Sequence, residues 1–336
     1  MREPLAFEVE RPVLSNIASC SLLDIFDAGF RRTQMIRPQG TIAPILTPFE
    51  NDGRIARDLW ISHAKWVLDQ GAHFLSPFGT TGEALSVSLR ERMQALEWLV
   101  EAGISPSHLM PGTGVTALAE TVELTAHAVG LGCAGVMVLP SFFYTAAGDN
   151  GQARYYGELI ERVANPAMRM ILYHIPQNSG VPVSPALTAR LSQAFPDVVV
   201  AYKDSAGDWN NTAAVIAAAP RVAVFPSSEA QLTKGLANGA AGCISATVNL
   251  NAAAIRALYD AALAGEDITD ADAAIKAFRK IIQDAGLISA MKAVLAVRSG
   301  DRRWLNLRAP HENATQATGE ALLAALGPLA DHIGRS

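Results

Sequence analysis

The stretch VVVAYKDSAGD, residues 198–208, joins a short apolar run to a lysine and a turn-forming tail. The run from Val198 to Tyr202 predicts a strand buried on both faces, as in a parallel sheet with helices on either side. Lys203 ends this strand at the edge of an apolar core, where a neutral amine is a nucleophile toward carbonyl compounds. Taken alone, the stretch also fits a solvated lysine that merely ends a strand.

A regular alternation of strands and helices extends from this stretch in both directions. The units are spaced by roughly 25 to 35 residues, which fits right-handed strand–helix–strand crossovers. Eight such units close most naturally into a (β/α)8 TIM barrel, an α/β fold. The alternative, a doubly wound open sheet, should carry a glycine-rich dinucleotide turn after its first strand, and TPFENDGR (47–54) is not one. The eight predicted strands are 41–49, 72–78, 108–114, 135–140, 168–176, 198–203, 221–227 and 241–247.

The alternation divides the chain into three parts. Residues 1–39 form an N-terminal extension, residues 40–250 the catalytic barrel, and residues 251–336 a C-terminal helical extension. Within the first part, residues 15–32 predict a short amphipathic helix with Leu22, Leu23, Phe26 and Phe30 on one side.

Composition excludes several classes of function. The net charge of −5 and the lack of a basic cluster argue against a nucleic-acid partner. No apolar run is long enough to span a membrane, and the first residues lack the apolar stretch of a signal peptide. Cys20, Cys133 and Cys243 give neither a disulfide framework nor a metal-ligand spacing, so we expect a reducing, cytoplasmic location.

Three unusual segments follow strands two, five and six, and in a βα barrel all three would face one funnel at the C-terminal ends of the strands. The first, FGTTGEA (78–84), places two hydroxyls between two glycines, and its backbone N–H groups could cradle a carboxylate. The second, YHIPQNSG (173–180), ends a strand with Tyr173, a phenol that could move protons. His174 faces the opposite way in a regular strand and is expected to be structural. The third is the segment around Lys203.

Together these residues predict one chemistry. Lys203 condenses with a 2-oxo acid, the Thr80–Thr81 turn holds the carboxylate of that acid, and Tyr173 moves protons. The protonated imine is an electron sink, so the methyl carbon of the substrate becomes an enamine nucleophile. The remaining lysines lie in helical patterns and compete poorly for this role: Lys65, Lys234, Lys276, Lys280 and Lys292.

The order GTTGEA, YHIP, YKDSAGD and GCISATVN resembles the dihydrodipicolinate synthase and N-acetylneuraminate lyase family, over about residues 40–328. These are lysine-dependent class I aldolases on a (β/α)8 barrel with C-terminal helices. The resemblance implies a tetramer built from tight dimers, with no metal or organic cofactor. It implies that Lys203 forms the Schiff base, Tyr173 transfers protons, Thr80 joins its relay, Thr81 and the backbone at Gly79 hold the carboxylate, and Ile244 lines the pocket.

Two positions depart from the family pattern. The synthases carry an arginine five residues after the tyrosine, where this chain has Asn178. A neutral amide cannot replace a bidentate guanidinium–carboxylate pair. The second departure is PSFFYTAAGDNG (140–151), in which Tyr144 alone offers an aromatic hydroxyl, after Phe142 and Phe143. We place Tyr144 among the candidate catalytic residues and Asn178 among the substrate-binding ones.

The leading hypothesis is a Schiff-base lyase or aldolase that acts on pyruvate or a related 2-oxo acid, with an aldehyde as a possible second substrate. Dihydrodipicolinate synthase itself, which condenses pyruvate with aspartate semialdehyde, is the first alternative. A non-catalytic 2-oxo acid binding protein on the same fold is the second. A metal-dependent barrel aldolase would need grouped histidines and carboxylates at strand ends, and the sequence shows no such grouping.

Overall fold

Short parallel strands form the centre of the computed structural model, which describes residues 37–333. They pair in the orders β2-β1-β7 and β3-β4-β5-β6. Their apolar, β-branched sequences suit strands that are covered on both faces. The strands are β1 Gly40–Ala43, β2 Phe74–Leu75, β3 Val136–Val138, β4 Met170–His174, β5 Val199–Asp204, β6 Ala223–Pro226 and β7 Gly242–Ile244.

Two further connections close these strands into a ring. Between β2 and β3, Leu109 bridges to Leu75 and Gly112 bridges to Met137, both in parallel. Between β6 and β7, the amide of Ala241 donates to a carbonyl of β6 at 2.9 Å. Eight chain segments therefore surround one axis, and the predicted (β/α)8 barrel is confirmed.

The segment predicted as the third strand, 108–114, differs from a regular strand. It occupies the expected place between β2 and β3, yet only isolated bridges join it to them. Pro111 lacks an N–H group, which interrupts the ladder. At Gly112, a Cβ atom would lie 2.1 Å from the carbonyl oxygen of Phe78, so this position must be glycine.

Helices follow the strands and cover the barrel. Ser88 and Ser184 cap two of them, each hydroxyl accepting a backbone N–H of the first turn. The helix predicted over 229–239 begins instead as a 3₁₀ turn, Glu229–Gln231. The helices are α1 Arg57–Asp69, α2 Leu89–Glu101, α3 Leu118–Gly130, α4 Gly148–Val163, α5 Pro185–Ala194, α6 Trp209–Ala218, α7 Leu232–Ala237, α8 Val248–Ala264, α9 Thr269–Asp284, α10 Ile288–Ser299 and α11 Gln316–Leu326.

The C-terminal helices share a core with the barrel. Phe278 of α9, Met291 of α10 and Leu322 of α11 pack in one buried cluster with Leu46 and Leu250. Residues 37–333 belong to a single compact unit, and the predicted boundary at residue 250 falls inside α8. The helix predicted within residues 15–32 lies outside the described residues. None of the helices in 37–333 has the length and hydropathy of a membrane span.

Candidate active site

Lys203 lies at the C-terminal end of β5 with only 4% of its surface exposed. In the parallel ladder it is in register with Tyr173 of β4 and with Phe225 of β6. Its Nζ lies 4.2 Å from the centre of the Tyr173 ring. Neighbouring residues in register point to the same side of a sheet, which places the amine and the phenol ring together.

The hydroxyl of Tyr173 connects this pair to the turn after β2. Tyr173 is buried in the interior of the barrel, together with Ile244 of β7. Its phenol oxygen lies 2.9 Å from Oγ1 of Thr80, and either hydroxyl can donate. The structure therefore brings Lys203, Tyr173 and Thr80 into one chain of contacts.

The turn after β2 has a tight backbone. Residues Thr80–Gly82 form a 3₁₀ turn, and Glu83 then adopts a left-handed conformation with φ of 54°. The first N–H groups to bond within this turn are those of Gly82 and Glu83. The N–H groups of Thr80 and Thr81 are therefore not used by the turn itself. From outside the turn, Thr47 donates its hydroxyl to the Gly82 carbonyl at 2.7 Å.

A buried ion pair anchors the same turn to the C-terminal helices. The carboxylate of Glu83 accepts from Lys292 of α10 and, at 2.9 Å, from the backbone N–H of Arg308. Lys292 also donates to the Asn306 carbonyl at 2.9 Å. Burial lowers the pKa of Lys292 to about 8, against the opposing effect of Glu83.

This pair is not among the predicted site residues, because Lys292 is one of several lysines in helical patterns. The signal was present, since Lys292 interrupts the apolar run AMKAVLAV (290–297) of α10. A charge in the middle of such a run is expected to need a buried partner.

A cavity of about 270 Å³ opens above the hydroxyl pair. Its lining includes the buried Gly79 and Tyr173 and the exposed Thr80 and Asn178, the last on the one-turn helix Pro176–Ser179. Pro310 and His311, which follow α10 in the chain, also line the cavity. The C-terminal extension therefore contributes to its wall.

The other predicted site residues take different places. Thr81 is buried on the same turn, and Ile244 lies in the core of the barrel. Tyr144 is 72% exposed, with its ring edge against Phe143, and it does not line the cavity; Phe142 does. His174 has the structural surroundings expected of it, because its Nδ1 accepts the N–H of Val183 at 3.0 Å.

Comparison with known proteins places the chain in a family. Residues 37–326 match the model of the dihydrodipicolinate synthetase family. The chain belongs to this family. Dihydrodipicolinate synthetase family members are lyases, and this barrel is a lyase or aldolase of the same type.

Individual members of the family resemble this chain in sequence and in structure. An uncharacterized DapA-like lyase of Chloroflexus aurantiacus is 32% identical over 262 residues, which cover 78% of this chain and 87% of the relative. A 4-hydroxy-tetrahydrodipicolinate synthase of Thermus thermophilus is 33% identical over 229 residues, covering 68% and 75%. The crystal structure of dihydrodipicolinate synthase from Agrobacterium tumefaciens superimposes with a TM-score of 0.79 at 28% identity, covering 87% of this chain and 99% of that one.

Metal ligands are not grouped in the part of the chain that the structure describes. No three His, Cys, Asp or Glu side chains within residues 37–333 are placed to hold an ion together.

Proposed function

We propose that the protein is a Schiff-base-forming lyase or aldolase that acts on pyruvate or a related 2-oxo acid through Lys203. The observation that carries this proposal is the chain of contacts from the Lys203 amine to the Tyr173 ring and on to Thr80. The phenol and the Thr80 hydroxyl line a cavity of about 270 Å³, and the Lys203 amine lies behind the phenol ring without lining that cavity.

The turn after β2 would bind the carboxylate of the acid. The backbone at Gly79 and the N–H and hydroxyl groups of Thr80 and Thr81 are the donors that we assign to it. The 2-oxo carbon of the substrate would then face Lys203. The buried Ile244 would border the methyl end of the substrate, within the barrel core that it shares with Tyr173.

The reaction begins when the Lys203 amine adds to the 2-oxo carbon and water leaves, while Tyr173 donates a proton, which gives a protonated imine and a phenolate. The phenolate then takes a proton from the adjacent carbon, which gives a neutral enamine, with the imine nitrogen accepting the electron pair. The enamine carbon bonds to the carbonyl carbon of an aldehyde, and the aldehyde oxygen takes the proton of Tyr173, which leaves a protonated imine of the product and the phenolate. Water finally hydrolyses this imine, the free amine is returned, and the released proton goes back to the Tyr173 phenolate. Cleavage is the same sequence in reverse.

Borohydride trapping tests the proposal. Reduction in the presence of pyruvate should add the mass of a reduced pyruvyl group to the peptide that carries Lys203, and Lys203→Arg should abolish the adduct. Lys234→Arg is the matched control, because Lys234 also lies over an aromatic ring, Trp209, at 4.4 Å, but is exposed on a helix. Folded wild-type protein that forms no adduct would contradict the proposal.

Dihydrodipicolinate synthase activity is the second candidate, favoured by the likeness to the Thermus thermophilus enzyme. The amide of Asn178 on the cavity wall disfavours it, because aspartate semialdehyde carries a carboxylate that needs a cationic partner. An assay with pyruvate and aspartate semialdehyde separates the two candidates. Trapping without turnover of any aldehyde or 2-oxo acid would instead indicate a binding protein.

We further propose a cytoplasmic homo-oligomer, a dimer of dimers, in which the segment around Tyr144 takes part in contacts between subunits. Phe143 and Tyr144 are exposed side by side, and contiguous exposed apolar side chains mark interaction surfaces. Light scattering should give the mass of four chains. A monomer at micromolar concentration would contradict this.

A further inference from the structure

The outer part of the cavity has an apolar wall. One side of this wall is formed by Met137 of β3 and by Leu139 and Phe142, which follow it in the chain. Ile175 and Leu85 extend the apolar surface. Leu85 is 63% exposed although it is a large apolar side chain, which leaves a hydrophobic rim at the mouth.

The same wall carries little free charge. Glu83 is the charged carboxylate among the lining residues, and Lys292 and the N–H of Arg308 already satisfy it. In the described part of the chain, no arginine or lysine lines the cavity. The polar side chains near the mouth include the amide of Asn178, the imidazole of His311 and the hydroxyl of Ser86, which donates to the Ala309 carbonyl at 3.0 Å. A carboxylate or ammonium on the second substrate would therefore lose its water against an apolar surface, which is costly.

Resting on the Schiff-base function above, we propose that the second substrate is an aldehyde with an uncharged, apolar body. Its body lies against Leu85, Leu139 and Phe142, and a single polar substituent faces Asn178 or His311. The product is a 4-hydroxy-2-oxo acid, because the enamine carbon bonds to the aldehyde carbon and the aldehyde oxygen gains a proton. The cavity volume of about 270 Å³ suits a small body such as a single ring.

An aldehyde panel tests the inference on the full-length protein with saturating pyruvate. The probes are benzaldehyde, glyceraldehyde and aspartate semialdehyde, and the readout is pyruvate consumption. We expect kcat/KM for benzaldehyde to exceed that for the other two by at least about tenfold, since burial of apolar groups gives discrimination of this order. Equal or lower efficiency with benzaldehyde would overturn the inference.

A pair of matched variants locates the effect. Leu85→Gln should raise KM for benzaldehyde about tenfold, whereas Leu263→Gln should leave it unchanged. Leu263 is 61% exposed, comparable to Leu85, but lies near the N-terminal ends of β6 and β7. An unchanged KM in Leu85→Gln would contradict the proposed contact.

The trapping experiment distinguishes the two proposals. A wild-type pyruvate adduct at Lys203 without a preference for benzaldehyde overturns only the inference about the second substrate. Absence of the adduct overturns the Schiff-base function itself, whatever the aldehyde. Leu85→Gln should form the adduct as readily as the wild type, because its side chain lies at the mouth and not beside the amine.

Discussion

The phenol of Tyr173 lies between a lysine amine beneath its ring and a threonine hydroxyl at its oxygen. We expect Tyr173→Phe to lower kcat by about 10²- to 10⁴-fold, the range by which a positioned proton donor accelerates a reaction. Borohydride trapping of pyruvate should still occur, though more slowly, because the nucleophile remains. Steady-state kinetics and mass spectrometry give the two readouts.

Tyr202→Phe is the control for this variant. Tyr202 precedes Lys203 on β5, but its hydroxyl donates to the Val183 carbonyl at 2.8 Å, outside the barrel interior. Loss of that bond should cost about 1 kcal/mol of stability and little activity. If Tyr173→Phe and Tyr202→Phe lowered kcat by the same factor, the result would contradict a role of Tyr173 in proton transfer.

A buried histidine gives the stability a pH dependence. Asn249 donates through Nδ2 to the Pro44 and Ala246 carbonyls, so its Oδ1 must accept the proton of His63 Nε2 at 2.9 Å. The second ring nitrogen, Nδ1, is buried and has no partner within the described residues. Burial lowers the pKa of His63 to about 4.

The sign of the effect follows from linkage. Above pH 6.5, the ordinary pKa of a histidine in the unfolded chain, His63 is neutral in both the folded and the unfolded protein. Below this pH the unfolded chain binds a proton that the folded protein does not bind. The free energy of unfolding therefore falls as the pH is lowered to about 4. Between pH 8 and pH 5 we expect a loss of about 2 kcal/mol from this group. Urea unfolding at both pH values measures it.

His63→Gln should remove this part of the pH dependence. The exposed His108 provides the control, and His108→Gln should retain the wild-type slope. The assignment to His63 would be wrong if both variants lost stability between pH 8 and pH 5 to the same extent as the wild type.

At the scale of elements, the ion pair between Glu83 and Lys292 connects the turn after β2 to α10. Lys292→Met should destabilise the protein by about 3 to 5 kcal/mol, because it leaves a buried carboxylate without its partner. The double variant with Glu83→Gln should lose clearly less than the sum of the single losses. Denaturant unfolding of all four proteins gives this double-mutant cycle.

The exposed pair Arg154–Glu158 on α4 provides the comparison for that cycle. Its coupling should be no more than about 0.5 kcal/mol, as for other surface pairs one helical turn apart. Additive losses at Glu83 and Lys292 would show that the two groups do not stabilise each other.

Strand order and barrel closure could be predicted, since β-branched runs and helical periodicity repeat along the chain. The exact extent of each strand could not be predicted. In the segment 108–114, for example, Pro111 interrupts the hydrogen bonding to neighbouring strands, which are distant in the sequence. The grouping of Tyr173, Thr80 and Lys203 followed from the rule that barrel strands end on one face. The contributions of Leu85 and His311 to the cavity depend on tertiary packing of loops, which leaves no periodic pattern in the sequence.

At the scale of the whole molecule, the barrel and its C-terminal helices form one unit that begins near Arg37. The first strand starts at Gly40, and the cavity-lining residues all follow it. We therefore expect a chain shortened to residues 37–336 to unfold cooperatively and to retain kcat/KM within about twofold of the full chain. Thermal unfolding by circular dichroism and pyruvate consumption are the measurements. Loss of activity in a folded short chain would assign a function to residues 1–36.

The Glu83–Lys292 pair has a further consequence for synthesis of the protein. The two residues are 209 positions apart, so at about 5 to 20 residues per second the ribosome adds the second roughly 10 to 40 s after the first. Late in that interval the nascent chain contains Tyr173 and Lys203, but the turn after β2 still lacks its contact with Lys292. We therefore expect the turn after β2 to become fully anchored only after α10 has left the ribosome.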